Sequence, residues 1–343
     1  MTSAPKPSFR YRAEATHAAR GFSLVELMIA IALGLILMSG LAMLFANSSR
    51  VGQDLDSSSR QIENGRYAME LLSEDVAQAG YYGELTVAGA NLNTPAPCAT
   101  ALANLGWNNA SLTVPVAVSG LSATEAATLS STCLTNYKAN TPALVIHRVD
   151  TTVLTPAAAI SGRVYLQTSR CDTDPNGTRF IVSSAPGDFT LRNFKCDALN
   201  TVQRYLTRVY YIASCNECGT DDVPTLKRAE LTDGAMLISP LAEGIDDMGF
   251  DFGFDTDGDG VPDSYRANLS GTPGAADNTW ANVVGLRINL LSRSNDPSNG
   301  YTDPRTYSLG LVGTRGPFSD GFKRRSYAIT TRLNNVSGPR ESP

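Results

Sequence analysis

The sequence predicts an α+β fold: one long amino-terminal helix packed on a mainly antiparallel β-sheet head with long loops. Three observations predict it. Residues 22–46 form an apolar run with a single charged side chain, Glu26. Residues 47–80 continue in helical period but become amphipathic. Residues 143–334 then carry short runs rich in Val, Ile, Tyr, Phe and Leu, each bounded by Gly, Pro, Asn or Asp, the signature of strands.

The order of the amino-terminal segments is the first clue to function. Residues 1–21 hold Lys6, Arg10, Arg12 and Arg20 against one carboxylate, Glu14, and end in Gly21. The apolar run follows at once with Phe22-Ser23-Leu24-Val25-Glu26-Leu27. A secretory signal would place small residues and a cleavage site after a shorter apolar stretch; here the order is reversed. At 1.5 Å rise per residue, 25 helical residues span the roughly 30 Å hydrocarbon layer of a bilayer. Glu26 is costly there unless it finds a partner. Cleavage after Gly21 would leave an amine on Phe22, four residues before Glu26 and on the same side of a helix. The carboxylate could then neutralise the amine of its own chain or of a neighbour.

Gly21-Phe22-Ser23-Leu24-Val25-Glu26 resembles the prepilin peptidase recognition site of type IV pilins and type II secretion pseudopilins. The resemblance implies cleavage after Gly21, N-methylation of Phe22, and Glu26 as the assembly carboxylate. Residues 1–21 are then a leader, 22–46 the membrane and filament-core helix, 47–80 its amphipathic continuation and 81–343 the head.

In the continuation, Val51, Leu55, Ile62, Met69, Leu72, Val76 and Ala79 lie on one helical stripe, with Asp54, Arg60, Glu63, Glu70 and Asp75 among the charged residues between them. Gly80 ends the helix and Tyr81-Tyr82-Gly83 reads as a turn. Residues 84–142, rich in Ala, Thr, Ser, Asn, Gly and Pro, read as a variable insertion of loops and short elements. Strands are expected at 143–149, 163–167, 179–183, 205–213, 249–254, 283–291 and 327–333.

Cys98, Cys133, Cys171, Cys196, Cys215 and Cys218 all follow the apolar run, and an even count beyond a membrane anchor points to disulfides in an oxidising compartment. Six cysteines allow 15 pairings, of which the sequential one is expected. Cys215 and Cys218 have C-x-x-C spacing. A thioredoxin-like redox site would have the pair open a helix after a strand, whereas here it follows the strand-like run 205–213 and precedes the turn-rich 219–224; a zinc ribbon would need a second such pair, which is absent. A local disulfide in a loop is the expectation.

Tyr210-Tyr211-Ile212-Ala213, Leu241-Ala242-Glu243-Gly244-Ile245-Asp246, Trp280-Ala281-Asn282-Val283-Val284-Gly285 and the closing run 327–334 resemble the PilW family of minor pilins. Asn64-Gly65-Arg66-Tyr67 and Gly80-Tyr81-Tyr82-Gly83 fit the same family. The resemblance implies a single-pass protein of the bacterial inner membrane, head in the periplasm, held in membrane lipid before assembly into a pilus. Its implied partners are the major pilin, other minor pilins, prepilin peptidase and the inner-membrane assembly machinery. A J-type minor pseudopilin of type II secretion and a tip adhesin are the alternative readings.

Asp255-Thr256-Asp257-Gly258-Asp259-Gly260-Val261-Pro262-Asp263 places carboxylates at alternate positions. Asp255, Asp257, Asp259, Asp263 and the Val261 carbonyl could converge on one calcium ion. The run resembles the first nine positions of an EF-hand loop, but Arg266 stands where the bidentate Glu would be; weak binding, on the order of 10⁻⁴–10⁻³ M, is expected. The shorter Asp172-Thr173-Asp174-Pro175-Asn176-Gly177 reads as a turn.

Enzymatic chemistry is not expected. The two histidines are His17 and His147; neither sits in a nucleophile–base pattern, and no phosphate-binding Gly-rich loop occurs. The acidic body, without clustered Lys and Arg, excludes a nucleic-acid footprint.

Overall fold

The computed structural model describes residues 21–87, 89–175, 177–267 and 280–341. The basic leader residues expected to precede Gly21 lie outside them. Two units are distinguished, Met1–Asp54 and Leu55–Pro343. In the first, described from Gly21 onward, the chain enters helix α1 (Leu24–Ala77), which runs on into the second.

The head contains two main sheets. The larger uses β3 (Val118–Leu121), β4 (Ala143–Leu154), β5 (Tyr165–Thr168), β6 (Phe180–Ser183), β7 (Val202–Ala213), β8 (Thr225–Thr232) and β9 (Ala235–Glu243). Strand β7 pairs with β4 along one edge; along the other it pairs first with β5 and then with β8. The smaller sheet has the order β11-β10-β12-β15, formed by β10 (Ile245–Phe254), β11 (Ser264–Arg266), β12 (Val283–Arg293) and β15 (Arg324–Arg332). Every pairing in both is antiparallel. The short strands β1 (Asn91–Asn93) and β2 (Thr113–Pro115) pair in parallel, β13 (Tyr307–Ser308) and β14 (Thr314–Arg315) antiparallel. Helices α2 (Ala123–Thr128) and α3 (Asn334–Glu341) complete the fold.

The principal core lies between the second half of α1 and both sheets. Ala68, Met69, Leu72, Val76 and Ala79 pack with Leu144, Ile146, Tyr210 and Ile212 of the larger sheet and with Met248, Phe250, Phe252, Ile288 and Leu290 of the smaller. Strand β10 shows how a period of two builds this arrangement. Met248, Phe250, Phe252 and Phe254 join the core. The alternate Asp247, Gly249, Asp251 and Gly253 face a covering layer: Arg315 pairs with Asp247, the Leu311 N–H donates to Asp251, and a Cβ on Gly249 would stand 2.5 Å from the Leu309 carbonyl oxygen.

The buried stripe of α1 differs from the expected one at its start. Val51 and Leu55 are exposed, and burial begins at Gln61, continuing through Gly65, Ala68, Met69, Leu72, Asp75 and Val76. Gln61 and Gly65 lack the apolar bulk that a stripe search weighs. Each is buried by a specific contact: the Gln61 amide donates to the Ser292 and Lys323 carbonyls, and a Cβ on Gly65 would lie 2.5 Å from the Tyr327 ring. Helix α1 closes near the expected place, with Gly80 at φ +73°. Just past its last residue, the Gln78 and Ala79 carbonyls accept from the Asn335 amide of α3.

Each expected strand is present, some longer than their apolar signal. The hairpin of β8 and β9 was not expected, because Lys227, Arg228 and Glu230 interrupt one arm and Pro240 the other. Residues 84–142 hold β1–β3, α2 and a Trp107 ring packed edge-on to Tyr82, Phe180 and Tyr205 at 5.0–5.4 Å.

Candidate functional site

The amino-terminal segment is the first candidate. Gly21 and Phe22 precede the helix and are exposed, and among the described residues nothing lies within 4 Å of a Cβ built on Gly21. Glu26 falls in the first turn of α1, where the unpaired N–H groups carry partial positive charge and favour a carboxylate. Around it Leu24, Val25, Leu27, Met28 and Ile29 are exposed, and none of the most apolar 18-residue window of the helix is buried within the chain. An apolar surface of that extent belongs in lipid or against other chains.

The acidic loop between β10 and β11 is the second. Carboxylate oxygens of Asp255, Asp257 and Asp263 all lie within 4.8 Å of one another. Asp259 is not in that group; it accepts the Val261 N–H at 2.7 Å. Asp255 is buried and accepts from the N–H groups of Gly258 and Gly260 and from Arg340 of α3 at 2.9 Å. Burial pushes the Asp255 carboxyl up, but Arg340 and those N–H groups outweigh it and hold the group below its ordinary range. The Thr256 N–H and hydroxyl hold Asp263 low in the same way. Three of the five expected ligands are thus together, one of them paired with a guanidinium.

The six cysteines form Cys98–Cys133, Cys171–Cys196 and Cys215–Cys218, the sequential pairing. The first joins residues 35 apart and the last residues 3 apart. On chain entropy alone these are worth about 4 and about 2 kcal/mol. Asp172 and Asp174 sit in a turn beside the middle bond; Asp174 accepts from the Ser169 hydroxyl and the Arg192 N–H.

Sequence reasoning missed the buried charges that join helix to sheets. Asp75 is buried, accepting from Arg148 and Arg208 at 2.7 Å each and from the Tyr210 hydroxyl at 2.7 Å. Burial drives the Tyr210 hydroxyl up, reinforced by the adjacent carboxylate. A second cluster centres on Arg324, which pairs with Asp246 at 2.8 Å and Asp320 at 2.6 Å; Lys138 also bonds Asp246. Burial raises the Asp246 carboxyl, and Lys138 with Arg324 more than reverses this. Buried carboxylates look like ordinary helix-surface or turn residues in a sequence; the long-range pairing of Asp75 with Arg148 and Arg208 leaves no local pattern. His147 is fully buried, its Nδ1 near Tyr205 Oη and Thr207 Oγ1, and burial lowers its pKa to about 3.

Residues 209–335 match the family described as Type IV Pilus-assembly protein W, and residues 16–42 match the Prokaryotic N-terminal methylation motif. No curated protein and no solved structure matches the chain.

Proposed function

We propose that this chain, with residues 209–335 matching the pilus-assembly family and residues 16–42 the methylation motif, is a minor pilin: a structural subunit cut after Gly21, methylated on Phe22 and assembled in a type IV pilus. It acts with other minor pilins in a complex that primes or tips the filament. The observation that carries this reading is Glu26: one carboxylate in the first helical turn, four residues after Phe22, within a membrane-length apolar segment. In lipid that charge is costly. Beside the amine of a packed neighbour it is compensated, so the carboxylate favours the assembled state and fixes the axial register. The head waits on the periplasmic side of the inner membrane and is carried out by assembly. No step in this role requires catalysis by the chain.

Incorporation tests the reading. In a strain carrying Glu26→Ala, the protein is expected in the membrane fraction at its normal level but absent from sheared pili. Recovery of the variant in pili at the wild-type ratio would overturn it.

We propose in addition that the acidic loop takes calcium weakly, with Asp255, Asp257 and Asp263 as the converging ligands. The short separations among their oxygens suit a hard cation with oxygen ligands. Arg340 already neutralises Asp255, so ion and guanidinium compete. Calorimetric titration of the full chain in detergent should give a dissociation constant on the order of 10⁻⁴–10⁻³ M, tightened by Arg340→Gln and lost with Asp257→Asn. No heat up to several millimolar in either form would remove the site.

A further inference from the structure

The loop between β7 and β8 carries Cys215 and Cys218, and the pilin role leaves this bond unexplained. It joins residues three apart, so it constrains little of the unfolded chain and is a poor stabiliser beside the two longer bridges. The loop is also fixed without it. Asp221 accepts the N–H groups of Asn216, Glu217 and Val223 at 2.7–3.0 Å, and the Asn216 amide bonds Glu243.

Its two sulfurs have different surroundings. Cys215 is buried, whereas Cys218 is exposed. The Lys227 ammonium, on the neighbouring strand β8, is buried and points into the loop, with Nζ 3.0 Å from the Asn216 carbonyl and 3.7 Å from Cys218 Sγ. No helix begins here to lower a thiol pKa; the fixed ammonium supplies that field instead. Burial pulls the Lys227 amine down and Asp221 offsets part of that.

We propose that Cys215–Cys218 is an exchangeable disulfide, opened by dithiol reductants at Cys218 Sγ, with Lys227 stabilising the Cys218 thiolate of the reduced form. The thiolate of a dithiol attacks Cys218 Sγ; the Cys215–Cys218 bond breaks and Cys215 leaves with the electron pair, taking a proton from water. The reductant's second thiolate then attacks its own sulfur in the mixed disulfide and releases Cys218 as a thiolate beside Lys227. The dithiol becomes a disulfide and the protein gains two electrons. A reduced form stabilised in this way raises the reduction potential of the pair.

The test equilibrates the full chain in detergent at pH 7 with graded ratios of reduced to oxidised dithiothreitol, traps thiols with an alkylating agent and assigns them by peptide mass spectrometry. Cys215 and Cys218 should open at a ratio at least ten-fold below that needed for the other four cysteines. Lys227→Met should shift this midpoint alone, by about ten-fold or more toward reducing conditions, while Lys227→Arg should leave it within a few-fold. Opening of Cys215–Cys218 together with or after the other bridges would overturn the proposal. So would a midpoint unmoved by Lys227→Met, or a Lys227→Met shift shared by all three bonds.

Discussion

At the scale of single residues, much of what matters is a charge or a ring in the wrong medium. Glu26 is legible because it is the one carboxylate in an apolar run, and the same anomaly suggests its partner. His147 is the opposite case: one histidine in an apolar strand, unremarkable in sequence, fully buried in the fold. Its pKa falls from an ordinary 6.5 to about 3, so the native state keeps it neutral where the unfolded chain takes up a proton. The unfolded state therefore binds more protons between those values, and stability must fall as the pH drops below about 6.5. The loss attributable to His147 is at most about 1.4 kcal/mol per pH unit. Urea denaturation from pH 7 to pH 5 should show this slope in the wild type and a shallower one in His147→Gln. Equal slopes would place the proton uptake elsewhere. Gly65 shows a different limit of sequence reading. Its function is to admit the Tyr327 ring against the helix, a contact made by a residue far along the chain.

At the scale of elements, apolar periodicity revealed the helix, its end at Gly80 and the positions of seven strands. It did not reveal where along α1 the head begins to cover the helix, because the first buried residues are Gln61 and Gly65 rather than large hydrophobes. Nor did it reveal β8 and β9, because Lys227, Arg228 and Glu230 interrupt the apolar alternation of one arm and Pro240 that of the other. A turn signal was present: Asp233-Gly234 separates the two strands, both residues have positive φ, and Asp-Gly between alternating runs marks a two-residue hairpin. The join between α1 and the larger sheet rests on Asp75. Replacing it with Asn leaves the buried Arg148 without its counter-charge and the half-buried Arg208 with Glu230 alone, and loss of one partner from a buried pair costs about 3–5 kcal/mol. Asp75→Asn should lower the urea midpoint of the detergent-solubilised chain accordingly, while Asp56→Asn, whose exposed pair with Arg60 is worth little, should not. A midpoint unchanged by Asp75→Asn would mean that the cluster stabilises through packing alone.

At the scale of the whole molecule, the chain combines a membrane-length apolar segment with a head whose two sheets close on the helix residues Ala68, Met69, Leu72 and Val76. The architecture was legible because each part has a strong local signature: a membrane-length run, a stripe, alternating strands and an even set of cysteines. The candidate sites were legible in part. The expectation of cleavage after Gly21, with Glu26 as the assembly carboxylate, rests on the order of leader, Gly21 and apolar run and on the resemblance that this order carries. In the acidic loop, alternation brought Asp255, Asp257 and Asp263 together, but could not foretell that Arg340, from the far end of the chain, would pair with Asp255.

The central claim is that the functional subunit begins at Phe22, so that its new amine can meet a Glu26 carboxylate. Intact-mass and amino-terminal peptide mass spectrometry of the protein recovered from membranes and from sheared pili measures this directly. The account predicts a chain starting at Phe22 and heavier there by one methyl group. A protein in pili that still begins at Met1 would contradict it.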